Sequence, residues 1–331
     1  MLVLGIESTA HTASVGIVDE TAAVRALASD MYKPPAGGIH PREAANHHVD
    51  WLPELVDRAL REAQVAPGEI GAVAFAQGPG LGPCLRAGAT VARALSLAWN
   101  LPLVPVNHCV AHIEIARVLS GLDDPLLLYA SGGNTQVIAY ARGRYRVLGE
   151  TIDIGVGNFL DKLWIGLGGA FPGGPAIEAA ARQGKVIHPL PYSVHGMDVA
   201  FSGLLTASLA LHHQGVPTED LAYSVETTAY SMLTEVTERA LAHHKRSAVV
   251  LGGGVACNLR LQAMVRTMVE ARGGTMYAPP RRLCVDNGAM IAWTGLMALP
   301  FGGAVPIEAS TVQPRQRTDL VPSPWRGPSV G

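Results

Sequence analysis

An internal repeat restricts the fold of this 331-residue sequence more than any other feature. In residues 2–29, three short apolar segments follow one another through polar turns, and the same order recurs in residues 126–150. Each copy then continues with an apolar segment, a glycine-rich turn, a helical pattern and a last apolar segment, over residues 71–106 and 247–280. Short apolar runs bounded by turn residues predict strands. Each half is therefore expected to fold as the same βββαβαβ unit.

Two facing copies of this unit predict an α/β protein with a central cleft, a plan that resembles the actin-like ATPases, sugar kinases and heat-shock chaperones. Open α/β sheets bind ligands beyond the carboxyl ends of their strands, where the glycine-rich turns of this sequence lie. The alternative is two ordinary α/β domains whose glycines only make turns. The expected parts are a first half at 1–122, a second half at 123–320 with a helical insertion at about 184–245, and a disordered tail at 321–331.

Composition narrows the class of protein further. An apolar content of 48% is ample for a sizeable core. The net charge of −2 means that nucleic acid would have to be bound through a local basic patch or a partner protein. The N-terminal segment lacks the pattern of a signal peptide, and no apolar run approaches the roughly 20 residues of a membrane span. We therefore expect a cytoplasmic protein without a membrane partner.

His108 and His112 form the first part of a predicted metal site. They lie four residues apart in a segment of helical composition, so both imidazoles would project from one face and could share a metal. Asp286 follows the second-half counterpart of the strand before His108, so the repeat predicts that its carboxylate faces the two imidazoles. Tyr129, at the end of a strand, could add a phenolate oxygen. Such donors suit iron(II) or zinc.

These residues also have ordinary structural interpretations. In a chain with 12 histidines, a pair at this spacing is as readily a surface or core pair as a metal site. Asp286 could cap the helix that follows it. A zinc protease is disfavoured because Cys109 stands where an H-E-x-x-H motif has its catalytic glutamate, and Glu114 would point to a different helical face.

Glycine-rich segments predict a nucleotide site in the same cleft. Backbone N–H groups of residues 131–134 could surround a phosphate, and residues 252–258 precede a helix whose N-terminus could do the same. Asp161 and Glu178 could accept hydrogen bonds from ribose hydroxyls, while Gly174 leaves room for a flat base. The alternatives are a plain hairpin turn, a helix cap and solvated charges. No P-loop or dinucleotide-binding fingerprint occurs, which disfavours an ordinary P-loop NTPase or dehydrogenase.

Several long motifs, in order, make the chain resemble the tRNA threonylcarbamoyladenosine transferase family. The matching stretches include residues 5–18, 37–48, 106–117, 129–137, 251–258 and 284–295. The forms at 40–48, 106–114, 314–320 and 324–326 resemble the archaeal and eukaryotic branch. The resemblance implies transfer of a threonylcarbamoyl group from threonylcarbamoyl-AMP to the N6 amine of the adenosine beside the anticodon in ANN-decoding tRNAs, with release of AMP.

The resemblance also implies a set of binding residues. One divalent metal, iron or zinc, would be bound by His108, His112, Tyr129 and Asp286. Threonylcarbamoyl-AMP, ATP or another adenine nucleotide would be bound by Tyr129, Ala130, Ser131, Gly132, Gly133, Asp161, Gly174, Glu178 and Asn258, with Asn134, Gly253 and Gly254 as weaker candidates. The catalytic proton acceptor is not assigned, and His40, His47 and His48 are weak candidates for it.

The implied partners are tRNA, a separate threonylcarbamoyl-AMP synthase and the subunits of the KEOPS assembly. Those subunits are a small kinase or ATPase on a separate chain, a dimerising small subunit and an accessory subunit. The rival function is an ATPase or sugar kinase of the same fold. It would need a magnesium site and an activating carboxylate where this chain has two histidines. A non-catalytic scaffold in the same assembly is the third alternative, and the intact set of proposed ligands argues against it.

Overall fold

Two five-stranded sheets form the frame of the computed structural model, which describes residues 1–35 and 37–327. The strands in chain order are β1 (Leu2–Glu7), β2 (Thr12–Asp19), β3 (Val24–Met31), β4 (Ile70–Gly78), β5 (Leu103–Asn107), β6 (Leu126–Ala130), β7 (Thr135–Ala141), β8 (Arg144–Glu150), β9 (Val194–His195), β10 (Asp198–Val199), β11 (Ala248–Gly252) and β12 (Thr275–Tyr277). The sheet orders are β3-β2-β1-β4-β5 and β12-β11-β6-β7-β8, while β9 and β10 pair separately.

The two sheets have the same topology. In each, the first strand pairs antiparallel with the second and the second with the third. The first strand also pairs parallel with the fourth, and the fourth with the fifth. The duplicated α/β plan predicted from the repeat is confirmed.

Ten helices connect and cover these strands in the described part of the chain. They are α1 (Pro41–Ala63), α2 (Gly82–Trp99), α3 (His108–Ser120), α4 (Val156–Gly166), α5 (Gly173–Ala181), α6 (Ser202–His213), α7 (Thr218–His244), α8 (Leu259–Ala271), α9 (Arg281–Cys284) and α10 (Gly288–Ala298).

In chain order, helix α7 lies between the third and fourth strands of the second sheet, as α1 does in the first half. The expected insertion at 184–245 therefore includes the counterpart of α1, and the additional helices of the second half are α4 to α6. None of the helices in the described ranges combines the length and the apolar character of a bilayer span.

Helices α3 and α10 each pack against the sheet of the other half. Val110 and Ile113 of α3 belong to an apolar cluster with strands β6, β7 and β11. Helix α10 lies on the first sheet so closely that a Cβ at Gly5 would stand 2.2 Å from the backbone nitrogen of Ala292. Only glycine permits this approach. Because each helix packs on the sheet of the other half, the start of each helix lies at the boundary between the halves.

The C-terminal segment up to residue 327 is ordered against α3 and the second sheet. The indole N–H of Trp325 donates to Glu114 Oε1 at 2.7 Å, and the Arg326 guanidinium lies 4.7 Å from the ring centre of Tyr140. The Tyr140 hydroxyl donates to the Gly327 carbonyl at 2.6 Å. The expectation of disorder from residue 321 is therefore wrong for residues 321–327, because these contacts hold the segment. The rest of that expected tail, 328–331, lies outside the described residues.

Candidate metal and nucleotide site

The histidine pair is positioned by the junction of β5 with α3. Asn107 ends the strand and caps the helix, since its side-chain oxygen accepts from Val110 N at 3.0 Å. His108 and His112 are buried, and their ring centroids are 4.7 Å apart. The helix and the shared face predicted from their spacing are confirmed.

Oxygen donors from the second half meet the two imidazoles. Asp286 Oδ1 lies 3.2 Å from His112 Nε2 and 3.5 Å from His108 Nε2. The Tyr129 hydroxyl, at the end of β6, lies 2.8 Å from His108 Nε2. One ligand atom from each histidine and from Asp286 fits within 4.8 Å. The structure thus brings together the four residues predicted to bind metal.

Helix capping does not explain the position of Asp286. The residue that caps α10 is Asn287, whose Oδ1 accepts from Met290 N at 2.9 Å. The alternative that Asp286 serves as the cap is therefore wrong. Its carboxylate is left to face the imidazoles.

Glu7 orients the first histidine and was not predicted to belong to the site. Its fully buried carboxylate accepts from Thr9 N at 2.6 Å through Oε1, and its Oε2 lies 2.8 Å from His108 Nδ1. When His108 is neutral, a carboxylate at this position holds its proton on Nδ1 and leaves the Nε2 lone pair directed at the cluster. Two imidazole nitrogens and a carboxylate oxygen converge, one imidazole fixed by a buried acid, so the residues present fit iron(II) or zinc.

The charges of the cluster are strongly coupled. Burial opposes protonation of His108, but Glu7 and Asp286 raise its pKa to about 9. Burial also disfavours a charged Asp286, yet the two histidines keep its pKa below the ordinary range. For His112, burial lowers the pKa. Without a metal cation, protonated His108 therefore carries the positive charge that balances the carboxylates of Glu7 and Asp286.

Two cavities meet at this cluster. A narrow, largely apolar one of about 160 Å³ is lined by predicted nucleotide-binding residues: Ser131, Gly132, Asp161, Gly174, Glu178, Gly254 and Asn258. A wider one of about 650 Å³ reaches His108, Tyr129, Gly133, Asn134 and Lys162. Both are lined by Asp286 and by the ring pair His11 and Phe171, whose centroids are 5.7 Å apart. A ligand spanning both cavities would therefore pass beside the cluster.

Hydrogen bonds fix the polar side chains of the narrow cavity. Asp161 accepts from Gly173 N at 2.7 Å, and burial raises its pKa. Asn258 caps α8 by accepting from Arg260 N at 2.9 Å, and its amide nitrogen donates to Glu226 at 2.6 Å. Asn258 thus caps the helix and also lines the wall of the narrow cavity.

The weaker candidates fall into two groups. Gly254 and Asn134 each line a cavity, whereas Gly253 lies behind the cavity wall. Ala130, from the main set of predicted binding residues, also lies behind the wall, and its carbonyl oxygen is 2.4 Å from where a Gly253 Cβ would stand. This close approach is why Gly253 has no side chain.

The three histidines considered as proton acceptors lie outside both cavities. His40 is exposed at the start of α1. His47 pairs with Asp30 at 2.7 Å, and buried His48 donates to the Ala10 carbonyl at 3.0 Å. His11 of the same half lines both cavities, and it was not predicted to belong to the site.

The fold and the cleft define a duplicated actin-like α/β protein with a histidine and carboxylate cluster between its halves. Solved structures resemble the chain at low identity, so they show the fold alone. HypF from T. kodakarensis aligns with a TM-score of 0.64 at 16% identity, over 91% of this chain and 48% of HypF. The (R)-2-hydroxyglutaryl-CoA dehydratase component A of Acidaminococcus fermentans aligns with a TM-score of 0.57 at 13% identity, over 89% and 97% of the two chains.

The chain belongs to the tRNA N6-adenosine threonylcarbamoyltransferase family, whose model matches residues 21–293. The transferase of that name from Archaeoglobus fulgidus is 52% identical over 98% of this chain and all of its own length. A probable bifunctional tRNA threonylcarbamoyladenosine biosynthesis protein from Methanothermobacter thermautotrophicus is 53% identical over 98% of this chain. The chain spans 61% of the length of that longer relative.

Proposed function

We propose that this protein transfers a threonylcarbamoyl group from threonylcarbamoyl-AMP to the N6 amine of the adenosine beside the anticodon in ANN-decoding tRNAs. The observation that carries the proposal is the meeting of two cavities at the cluster of His108, His112, Tyr129 and Asp286. One cavity can hold the activated donor while the other admits the acceptor. The family name and the full-length similarity to the A. fulgidus transferase support the same reaction.

The narrow cavity is the proposed adenylate site. Asp161 and Glu178 would accept hydrogen bonds from ribose hydroxyls. Gly174 has no atom within 4 Å of where a Cβ would stand, so a flat base can lie against its backbone. The N–H of Ser131 already donates to the Asn134 carbonyl at 2.9 Å, so the backbone N–H groups of Gly132 and Gly133 would bind the phosphate at the junction of the cavities.

The reaction forms a bond between N6 of the acceptor and the carbamoyl carbon and breaks the bond from that carbon to the phosphate oxygen. AMP leaves with the electron pair, and the amine loses a proton. The metal, iron or zinc, would supply Lewis-acid polarisation of the donor carbonyl. His108 and His112 would hold it from one half of the molecule, and Tyr129 and Asp286 from the other. Because the mixed anhydride hydrolyses easily, the walls around the junction must also exclude water.

The proposed partners follow from this reaction and from the family. They are tRNA, a separate synthase that makes threonylcarbamoyl-AMP, and the KEOPS subunits: a small kinase or ATPase, a dimerising subunit and an accessory subunit. The cluster favours this assignment over a magnesium-dependent ATPase or sugar kinase, because magnesium prefers oxygen ligands to imidazole.

Reconstitution with tRNA, threonine, bicarbonate, ATP, the synthase and the partner subunits tests the proposal. The wild-type protein should form the modified nucleoside, and His112→Ala and Asp286→Ala should lose that activity. His195→Ala changes an exposed histidine on β9 and should retain it. Equal product from all four proteins would exclude the metal-site mechanism. Magnesium-dependent phosphorylation of a sugar, without modified nucleoside, would establish the rival.

A further inference from the structure

A polar groove leads from the wide cavity to the surface. Pro79, Asn134 and Pro314 line both the wide cavity and an adjoining one of about 260 Å³. Three consecutive residues, Arg315, Gln316 and Arg317, line both this adjoining cavity and a third cavity. We call this path the mouth groove, lined by Pro79, Asn134, Pro314, Arg315, Gln316 and Arg317.

The outer wall of the mouth groove is held firmly in place. Gln316 accepts from Asn107 Nδ2 at 3.0 Å and donates to Gln77 Oε1 at 2.8 Å. Gln313 N donates to the Gln77 carbonyl at 2.8 Å, and a Cβ at Gly78 would stand 1.9 Å from the Gln313 carbonyl oxygen. The wall is thus bonded to Asn107, the residue that also caps the helix carrying the histidine pair.

The mouth groove is surrounded by cations that lack an acidic partner. Arg315 is exposed on its wall, and Lys162 is exposed in the lining of the wide cavity. Arg86 of α2 lies on the other side of Pro314: a Cβ at Gly82 would stand 3.6 Å from Arg86 Nη1 and 3.3 Å from Pro314 Cγ.

The acids beside the groove are already engaged. Within residues 1–35 and 37–327, no hydrogen bond or ion pair engages the side chain of Arg86, Lys162 or Arg315. Asp319 instead pairs with Arg317 through two bonds of 2.9 Å. Glu150, which also lines the adjoining cavity, accepts from the Gln136 amide at 3.0 Å and keeps one negative charge there, against the three cations. The three free cations are therefore a local positive surface on a chain whose net charge is −2.

We propose that the mouth groove binds the single-stranded RNA backbone on either side of the acceptor adenosine, with Arg315 and Arg86 contacting phosphates. The inference rests on the proposed function, since it requires an adenosine to enter the wide cavity. Enzymes and RNA-binding modules recognise bases that are turned out of single-stranded loops. When one base enters the cavity, the neighbouring phosphates must lie at its mouth. A polar, positively charged groove suits them better than an apolar protein segment.

Binding of a synthetic anticodon stem-loop RNA to the full chain, followed by fluorescence anisotropy across a salt series, tests the inference. The Arg86→Gln/Arg315→Gln variant should bind the RNA at least tenfold more weakly. The dependence of log affinity on log salt should flatten by about 0.7 for each single-strand phosphate that no longer has an arginine beside it. Arg266→Gln removes one arginine charge, half of that lost in the double variant, from an exposed position on α8 and should bind like wild type. Affinity for AMP should be unchanged in every variant.

Wild-type RNA affinity and salt dependence in the double variant would overturn the inference. The inference would also be overturned if the double variant lost binding to an acidic peptide more than binding to RNA, because the groove would then be a protein-docking surface. The result is independent of catalysis. If wild-type protein binds the RNA through these arginines but transfers nothing, the proposed function fails while the RNA groove stands.

Discussion

Replacement of Glu7 by glutamine tests how the site is oriented. The carboxylate accepts two donors, one on each oxygen: Thr9 N at 2.6 Å and His108 Nδ1 at 2.8 Å. Glutamine has only one oxygen, so one of these donors would face an NH₂ group. If the NH₂ faces His108, that imidazole accepts at Nδ1 and carries its proton on Nε2, where it cannot bind a metal.

The size of the effect follows from the role of such acids. Loss of the group that orients a metal-binding histidine typically lowers metal affinity 10- to 100-fold, or by about 1.4 to 2.8 kcal/mol. We therefore expect Glu7→Gln to weaken binding of iron(II) or zinc by a factor in this range. Because Glu7 is fully buried and the replacement has nearly its shape, the fold should persist.

Anaerobic calorimetric titration of metal-free protein measures this affinity, with circular dichroism as a check on folding. Asp30→Asn is the matched control, because Asp30 pairs with His47 at 2.7 Å in the same half but away from the cluster. It should leave metal affinity unchanged. A folded Glu7→Gln protein that binds metal as tightly as wild type would refute the orienting role of Glu7.

Three further results are expected. Metal affinity should rise with pH below about 9, because His108, whose pKa is raised to about 9 in the metal-free site, must lose its proton to bind a cation; affinity independent of pH from 6 to 8 would contradict this. Burial lowers the pKa of His48 to about 4 from an ordinary value near 6.5, so the unfolded chain takes up a proton first as pH falls. The free energy of unfolding should drop by roughly 3 kcal/mol between pH 6.5 and 4, and His48→Gln should remove that part of the dependence in urea titrations. Trp325→Phe should cost about 1–3 kcal/mol in the same titrations by removing a donor to buried Glu114, and wild-type stability would show that the C-terminal segment contributes little.

The sequence predicted the parts of the site that depend on short-range spacing and on the repeat. The four-residue spacing placed His108 and His112 on one face, and the matching order of strands brought Asp286 towards them. Tyr129 was predicted to lie at the same depth because it ends a strand of the second sheet. Each of these inferences needed only local pattern and pseudo-symmetry.

The remaining features depend on long-range packing that local pattern does not encode. Glu7 meets His108 across 101 positions of sequence, and only its place at a strand end before a polar turn could have drawn attention to it. Asn287, next to Asp286, proved to be the helix cap, since either side chain suits that position. The order of the C-terminal segment comes from Trp325 and Arg326 meeting α3 and β7, which its proline-rich composition conceals.

Anomalous scattering from crystals of iron- or zinc-loaded protein tests most directly whether the two halves hold one cation between them. We predict a single strong peak at about 2.0–2.2 Å from His108 Nε2, His112 Nε2 and Asp286 Oδ1. A metal found elsewhere would contradict the account if Asp286 Oδ1 still lay 3.2 Å from His112 Nε2 and 3.5 Å from His108 Nε2 in a protein that transfers threonylcarbamoyl groups.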